Sequence, residues 1–88
     1  MSKELKKLSE FKMQPYILYG FVIYEKPKDF PENYIGRIWN MNEAKATEFY
    51  IKRNSVEEVR KEVEESIIFN VCIQRSKEDA ESIVETWI

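Results

Sequence analysis

The sequence predicts an α+β protein in which one helix packs on a face of a mainly antiparallel sheet of four or five strands. The run YILYGFVIYE at residues 16–25 is apolar or aromatic on both alternating faces, which is typical of a central strand covered on two sides. Later segments alternate as half-buried strands do, and one segment has its apolar residues at helical spacing. The predicted order is therefore β-β-β-α-β, followed by a further strand at the C-terminal end.

The second and third strands are predicted at Tyr34–Met41 and Ala46–Arg53. In the third strand, Phe49 and Ile51 alternate with charged and polar residues, which is the pattern of a half-buried antiparallel strand. The connection at residues 26–32 contains two prolines and four charged residues. Because proline lacks a backbone donor, this composition predicts an exposed hairpin loop between the first two strands.

The single helix is predicted at Ser55–Ser66. Ser55 and Glu58 form a capping-box pattern, in which a serine and a glutamate three residues later satisfy the first backbone N–H groups of a helix. Apolar residues then recur at helical spacing: Val56, Val59, Val63 and Ile67. This narrow apolar stripe predicts a helix that covers one face of the sheet and turns its acidic residues toward water.

Two further segments follow the helix. Ile67–Arg75 is apolar and β-branched and is predicted as a fourth strand, with Cys72 as a core thiol. Residues 77–88 fit two structures, because their apolar residues have helical spacing while Ile83–Ile88 has the composition of a strand. We expect a C-terminal strand, with a helix as the alternative.

The chain is expected to form one domain, at residues 15–88, preceded by an N-terminal extension or short helix at residues 1–14. In that first segment Leu5, Leu8 and Phe11 lie three residues apart among lysines. This spacing predicts a short amphipathic helix or a tail that orders only on contact.

Composition argues against several classes of protein. Histidine is absent and Cys72 is the only cysteine, which disfavours triad hydrolysis, ordinary zinc sites and an internal disulfide. No catalytic motif or glycine-rich phosphate loop is present, so we expect a non-enzymatic protein without a cofactor or metal. No apolar run is long enough for a membrane span or a signal peptide, and we therefore expect a cytoplasmic protein.

The stretches at Tyr19–Glu25 and Ile83–Ile88, together with Arg75, Ser76 and Asp79, resemble a group of small uncharacterised bacterial proteins that are often encoded in prophages. Members of that group share a Tyr-Gly-Phe/Tyr-Val-Ile-Tyr-Glu start and an Ile-Val-Glu-x-Trp-Ile ending. The resemblance extends over most of residues 16–88. It implies a phage or mobile-element context, and it implies no activity, because the group has none assigned.

Two sets of side chains are candidates for binding. An acidic set on the predicted helix would imitate a phosphate-bearing surface and occupy a basic site on a host protein, although such a run is more often a solvated helix face. A set of aromatic and basic residues on the strands would stack on the bases of a single strand, although dense aromatics more often form a core. The acidic set is Glu57, Glu58, Glu64 and Glu65, and the second set is Arg37, Trp39, Tyr50, Lys52 and Arg53.

The expected function is that of a protein-interaction module, in the form of an inhibitor of a host protein or a self-associating protein. One helix is too little to cover both faces of a sheet whose central strand is apolar on both, so we expect a dimer through the second face. The alternative is a small protein that binds single-stranded nucleic acid. The C-terminal acidity disfavours it, since negative charge repels phosphates.

Overall fold

The structure is a computed structural model that describes residues 3–74 and 82–88. It confirms the α+β class, with one α-helix packed against a six-stranded mixed sheet. A short 3-10 helix at Leu8–Glu10 precedes the second strand. The elements are β1 (Lys3–Glu4), β2 (Tyr19–Glu25), β3 (Tyr34–Asn40), β4 (Lys45–Arg53), α1 (Val56–Ser66), β5 (Cys72–Gln74) and β6 (Ile83–Trp87).

The strands lie in the order β1-β4-β3-β2-β6-β5. Every neighbouring pair is antiparallel except β1 with β4, which is parallel. The sheet exceeds the predicted four or five strands because Lys3–Glu4, in the N-terminal segment, adds an edge strand to β4. The C-terminal strand is confirmed at Ile83–Trp87. Residues 77–81 of that prediction lie outside the described part of the chain.

The strand β2 is central and is buried on both faces from Tyr19 through Ile23. The predicted strand was three residues too long at its start, since Tyr16 is fully exposed and Leu18 is 62% exposed. On one face, here called the helix face, Phe21 and Ile23 pack against α1. The other face is the second face.

The helix α1 begins at the predicted cap. The Ser55 hydroxyl accepts a hydrogen bond from the Glu58 N–H at 3.3 Å. The Glu58 carboxylate, however, accepts from the Asn54 N–H at 2.9 Å, one residue before the position in a standard capping box. Val59 and Val63 are fully buried, as the apolar stripe predicted. The helix ends at Ile67, whose φ of 59° lies in the left-handed region.

The N-terminal segment covers the part of the helix face that α1 does not reach. Leu8 is fully buried in the same core as α1. The Phe11 ring makes edge contacts with Tyr19 and Phe49, with centroids 5.1 and 5.2 Å apart. The Glu62 carboxylate accepts a hydrogen bond from the Leu8 N–H at 2.8 Å and thereby joins the segment to α1. Residues 3–11 therefore belong to the packed structure.

The prediction for Cys72 was wrong, because this thiol is exposed. The strand β5 is only three residues long and forms an edge of the sheet, so its side chains are exposed on both faces. The core residue of the predicted fourth strand is instead Phe69, which lies before β5 and stacks on Phe21 with centroids 5.8 Å apart. The rest of that prediction, at Arg75, lies outside the described residues.

A buried ion pair joins α1 to β6. Glu85 is 1% exposed, and its carboxylate accepts hydrogen bonds from Arg60 at 2.7 to 3.2 Å. The Trp87 indole N–H donates to the same carboxylate at 2.7 Å. Burial acts to raise the pKa of Glu85, but the hydrogen bonds from Arg60 and Trp87 outweigh it and hold the pKa below its ordinary value. The ionised carboxylate is therefore the form that the fold stabilises.

Gly36 and Gly20 offer a matched test of packing on the two faces. A Cβ at Gly36 would overlap the ring of Phe21, which is fully buried, whereas a Cβ at Gly20 would meet the end of the flexible Met41 side chain. We expect Gly36→Ala to lower the free energy of unfolding by about 3 kcal/mol. Gly20→Ala should change it by less than about 1 kcal/mol, because Met41 can move aside and alanine restricts the unfolded chain. Equal losses in urea titrations of the two variants would contradict this packing.

Because of this ion pair, we expect the free energy of unfolding to fall in acid. The pKa of Glu85 is lower in the folded protein than in the unfolded chain, where it is about 4.3. The ion pair therefore adds its full stabilisation to the free energy of unfolding at pH values above the unfolded pKa. The contribution is lost as the pH falls through the lower, folded value. The free energy of unfolding of Glu85→Gln should therefore fall less than that of the wild type between about pH 5 and about pH 2. Glu64→Gln, which removes the same charge from an exposed position, should behave as the wild type does.

Arg60→Met tests the same pair from the other side. It should cost about 2 kcal/mol at pH 7, because it leaves the buried Glu85 carboxylate without its cation. The double variant Arg60→Met/Glu85→Gln should recover most of this loss, since no buried charge is then unpaired. A double variant as unstable as Arg60→Met alone would show that the loss comes from packing.

Candidate interaction surface

The second face of the sheet is divided into a covered half and an uncovered half. The loop at residues 26–33 folds back over the half formed by β3 and β4. The Phe30 ring lies 5.2 Å from the Tyr50 ring, and Pro27 lines a small cleft with Ile35. The charged residues of the loop are exposed, as predicted, while Pro27 and Phe30 are half-buried on the sheet.

Basic side chains complete the covered half. The Arg37 guanidinium lies 5.2 Å from the Tyr50 ring, and the Lys52 ammonium lies 5.9 Å from the Phe30 ring. As a result Tyr50 is only 8% exposed and Ile35 only 1% exposed. These cations lie on aromatic faces that the protein itself supplies.

The uncovered half is a continuous apolar surface across β3, β2, β6 and β5, here called the apolar strip. The backbone pairing between neighbouring strands places the residues of the apolar strip on one face. The Met41 N–H donates to the Leu18 carbonyl at 2.8 Å, and Val71 and Ile88 exchange backbone hydrogen bonds at 3.0 and 2.8 Å. Between these ends, Val22 and Ile73 both lie opposite Thr86. The strip consists of Leu18, Val22, Trp39, Met41, Val71, Ile73, Ile83 and Ile88.

Much of this surface is open to solvent. Among the residues that the structure describes, seven large apolar side chains are exposed, and four of them belong to the strip. They are Leu18 at 62%, Val71 at 53%, Ile73 at 46% and Ile88 at 42%. Exposed apolar residues that are scattered singly need no explanation, but a contiguous group is a candidate interaction surface.

The centre of the strip is a shallow groove of about 240 Å³ with Val22 at its floor. Trp39, Met41 and Ile83 form its sides, and Thr86 adds one hydroxyl. The Trp39 indole N–H donates to the Tyr24 hydroxyl at 3.1 Å, which satisfies its polar atom and orients the ring. Burial raises the pKa of Tyr24, so its hydroxyl stays neutral beside the groove. The groove thus offers apolar contact without an ionisable group of its own.

A larger groove of about 550 Å³ lies on the helix face between the N-terminal segment and β4. Phe11, Ile17, Tyr19 and Phe49 contribute to its walls. Among the described residues, every buried polar side-chain atom has a hydrogen-bond partner. Nor do those residues include a group of three or more acidic or cysteine side chains placed to hold a metal ion. Five polar or charged residues also line the larger groove: Glu10, Lys12, Gln14, Asn40 and Thr47.

The structure separates the predicted aromatic and basic residues. Arg37, Trp39, Tyr50 and Lys52 lie on the second face, but only Trp39 belongs to the apolar strip. Arg53 lies on the helix face, where its guanidinium donates to the Lys6 carbonyl at 2.6 Å and lies 3.4 Å from the Glu62 carboxylate. The set therefore does not form one open stacking surface.

The acidic residues of α1 lie on the outer side of the helix. Glu57, Glu64 and Glu65 are exposed there, and Glu58 is also exposed while it caps the helix. This acidic surface and the apolar strip lie on opposite sides of the sheet.

No protein-family model matches the chain, and neither a curated protein nor a solved structure is significantly similar to it. Within residues 3–74 and 82–88, no helix is long and apolar enough to cross a membrane. The functional argument therefore starts from the geometry of the apolar strip.

Sequence reasoning identified Trp39, which is half-buried, but missed the exposed members of the strip. The alternation of YILYGFVIYE placed Leu18 and Val22 on one face, which was a usable signal. No sequence signal identified the exposure of Val71, Ile73 and Ile88, because it depends on how far the loop at residues 26–33 extends across the sheet. Only the packed structure shows that it stops short of β6 and β5.

The strip predicts binding of a hydrophobic dye. We expect Leu18→Asp to reduce the fluorescence enhancement of the dye ANS severalfold, with little change in stability, because Leu18 is exposed on the strip. Ile67→Asp is the matched control, since Ile67 is 78% exposed but lies at the end of α1, and aspartate tolerates its left-handed backbone. Equal effects of the two substitutions would show that the dye does not report on the strip.

Proposed function

We propose that this protein is a non-enzymatic protein-interaction module that docks its apolar strip on an apolar face of a partner protein. The observation that carries the proposal is the division of the second face. The loop at residues 26–33 covers one half with its own aromatic and basic contacts, while the other half is left apolar and open. Inhibition of the partner is one consequence that such docking would have.

The strip sits on a rigid platform. Its central strand β2 pairs with neighbours along both edges, and Val22 is only 5% exposed. A partner would therefore meet a preformed surface and would order few side chains on binding, which keeps the entropic cost of association low. This preorganisation favours a surface that binds a partner over one that binds nothing.

The size of the strip limits its affinity. Four strands about 4.8 Å apart and about five residues in length give roughly 300 Å² in projection. With an equal area on the partner, docking of one strip would bury about 600 Å² in total, about half of the ~1,200 Å² at the lower limit of stable interfaces. A single strip therefore supports weak or transient binding.

Nucleic-acid binding has less support from the same geometry. Stacking on bases requires exposed rings, but Tyr50 lies beneath Phe30 and Arg37, and Arg53 faces the opposite side of the sheet. Salt-dependent binding of an oligonucleotide that is lost in Trp39→Ala/Tyr50→Ala would favour this alternative over docking.

Site-specific photo-crosslinking in cells tests the proposed function. A photoreactive amino acid at position 18 or 88, on the strip, should give discrete adducts with a protein, because a docked partner lies within reach of these exposed positions. The same group at position 16 or 67 should give none, although Tyr16 and Ile67 are more exposed than any residue of the strip.

The pattern of adducts decides the question. Adducts at the strip positions that are absent at positions 16 and 67 support docking, and mass spectrometry then identifies the partner. Adducts of equal yield at all four positions, or none at any, contradict it.

A further inference from the structure

The two edges of the sheet are built differently. At one edge β1 consists of Lys3 and Glu4, whose side chains pair with Glu48 at 3.3 Å and with Lys52 at 3.9 Å. At the other edge β5 consists of Cys72, Ile73 and Gln74, and residues 67–74 contain no charged side chain. Charges on an edge strand prevent pairing with another chain. The first edge is protected in this way, whereas the described part of the second edge carries no charged side chain.

The edge at β5 also directs backbone groups outward. Val71 and Ile88 exchange both of their backbone hydrogen bonds. Because hydrogen-bonded and non-hydrogen-bonded pairs alternate along an antiparallel ladder, Cys72 and Gln74 point their N–H and C=O groups away from β6. No backbone or side-chain group within residues 3–74 and 82–88 bonds to these outward groups. Within the described part of the chain these groups are therefore open to pairing with a further strand.

We propose that this strand is β5 of a second copy of the chain, paired antiparallel around a two-fold axis at Ile73. This proposal rests on the proposed function, because it completes the surface that docks the partner. In this register Cys72 of each copy lies opposite Gln74 of the other, and their outward groups form four hydrogen bonds across the axis. The two Ile73 side chains form a close, non-hydrogen-bonded pair on the second face.

The charge distribution favours a second copy as the occupant. A two-fold interface brings identical residues together, so any charge at the axis would meet a like charge. Here the axis residue is isoleucine and its neighbours are cysteine and glutamine. The edge is therefore self-complementary, although each chain carries a net charge of −2.

The pairing of two copies also doubles the area of the docking surface. A two-fold axis perpendicular to the sheet keeps both apolar strips on the same face, where they join at Ile73. The joined surface measures roughly 600 Å² in projection, twice the single strip and close to the ~800 Å² per partner of a stable protein interface. One copy alone offers about half of this surface, so the docking site is incomplete without the second.

Disulfide trapping tests the register. In Cys72→Ser/Ile73→Cys the new thiols face each other across the axis, with Cα atoms about 4.5 Å apart, which suits a disulfide. With diamide as oxidant, the covalent dimer should form at least about tenfold faster than in Cys72→Ser/Leu18→Cys. In that control the new thiols, although exposed on the same strip, lie more than about 20 Å apart in the dimer. An equal or slower rate at position 73 would overturn the proposal.

The solution mass provides a second test that does not depend on cysteine chemistry. Light scattering over a range of concentrations should give a dimer for the wild type, and Ile73→Lys should raise the dissociation constant at least about tenfold by placing two ammonium groups at the axis. Ile67→Lys, at an exposed isoleucine away from the edge, should remain dimeric. A monomeric wild type at the highest soluble concentration would overturn the pairing.

The two proposals fail in different ways. If Ile73→Cys does not cross-link but position 18 still gives adducts with another protein, the edge dimer is wrong and docking by a single strip stands. If Ile73→Cys cross-links and the strip positions give no adduct, the dimer stands and the docking function is wrong.

Discussion

The fold depends on one constraint, which is that β2 must be covered on both faces. Its residues from Tyr19 to Ile23 are all buried, and leaving either face in water would expose large apolar side chains. The helix face needs three pieces of chain, namely α1, the N-terminal segment around Leu8 and the loop that carries Phe69. On the second face, among the described residues, the loop at residues 26–33 covers β3 and β4.

Two carboxylates fix the pieces on the helix face in place. Glu85 binds Arg60 and so holds β6 against α1, while Glu62 binds the Leu8 N–H and holds the N-terminal segment against the same helix. Both are largely buried, and both have hydrogen-bonded partners that compensate for their removal from water. The helix thus packs against the sheet and also connects the two ends of the chain.

The second face of the sheet is covered unequally, and the proposed docking function rests on this difference. Within the described part of the chain, Leu18, Val71, Ile73 and Ile88 of the apolar strip stay exposed. The same region includes the edge that lacks charged residues, whereas the far edge is closed by Lys3 and Glu4. The open part of the second face and the uncharged strand β5 therefore lie at the same end of the sheet.

The sequence by itself determined the class of fold, the central strand β2, the paired strands β3 and β4, and the helix with its cap at Ser55. These features follow from alternation, spacing and capping, which are local. The C-terminal strand could be expected from its β-branched composition, although periodicity alone allowed a helix. Even the opposite placement of Lys52 and Arg53 follows locally, because neighbours in a strand face opposite sides. Only the tertiary structure decided that Cys72 is exposed, that Phe30 covers Tyr50 and that Ile73 stays open, because burial depends on which distant segment arrives to cover a residue.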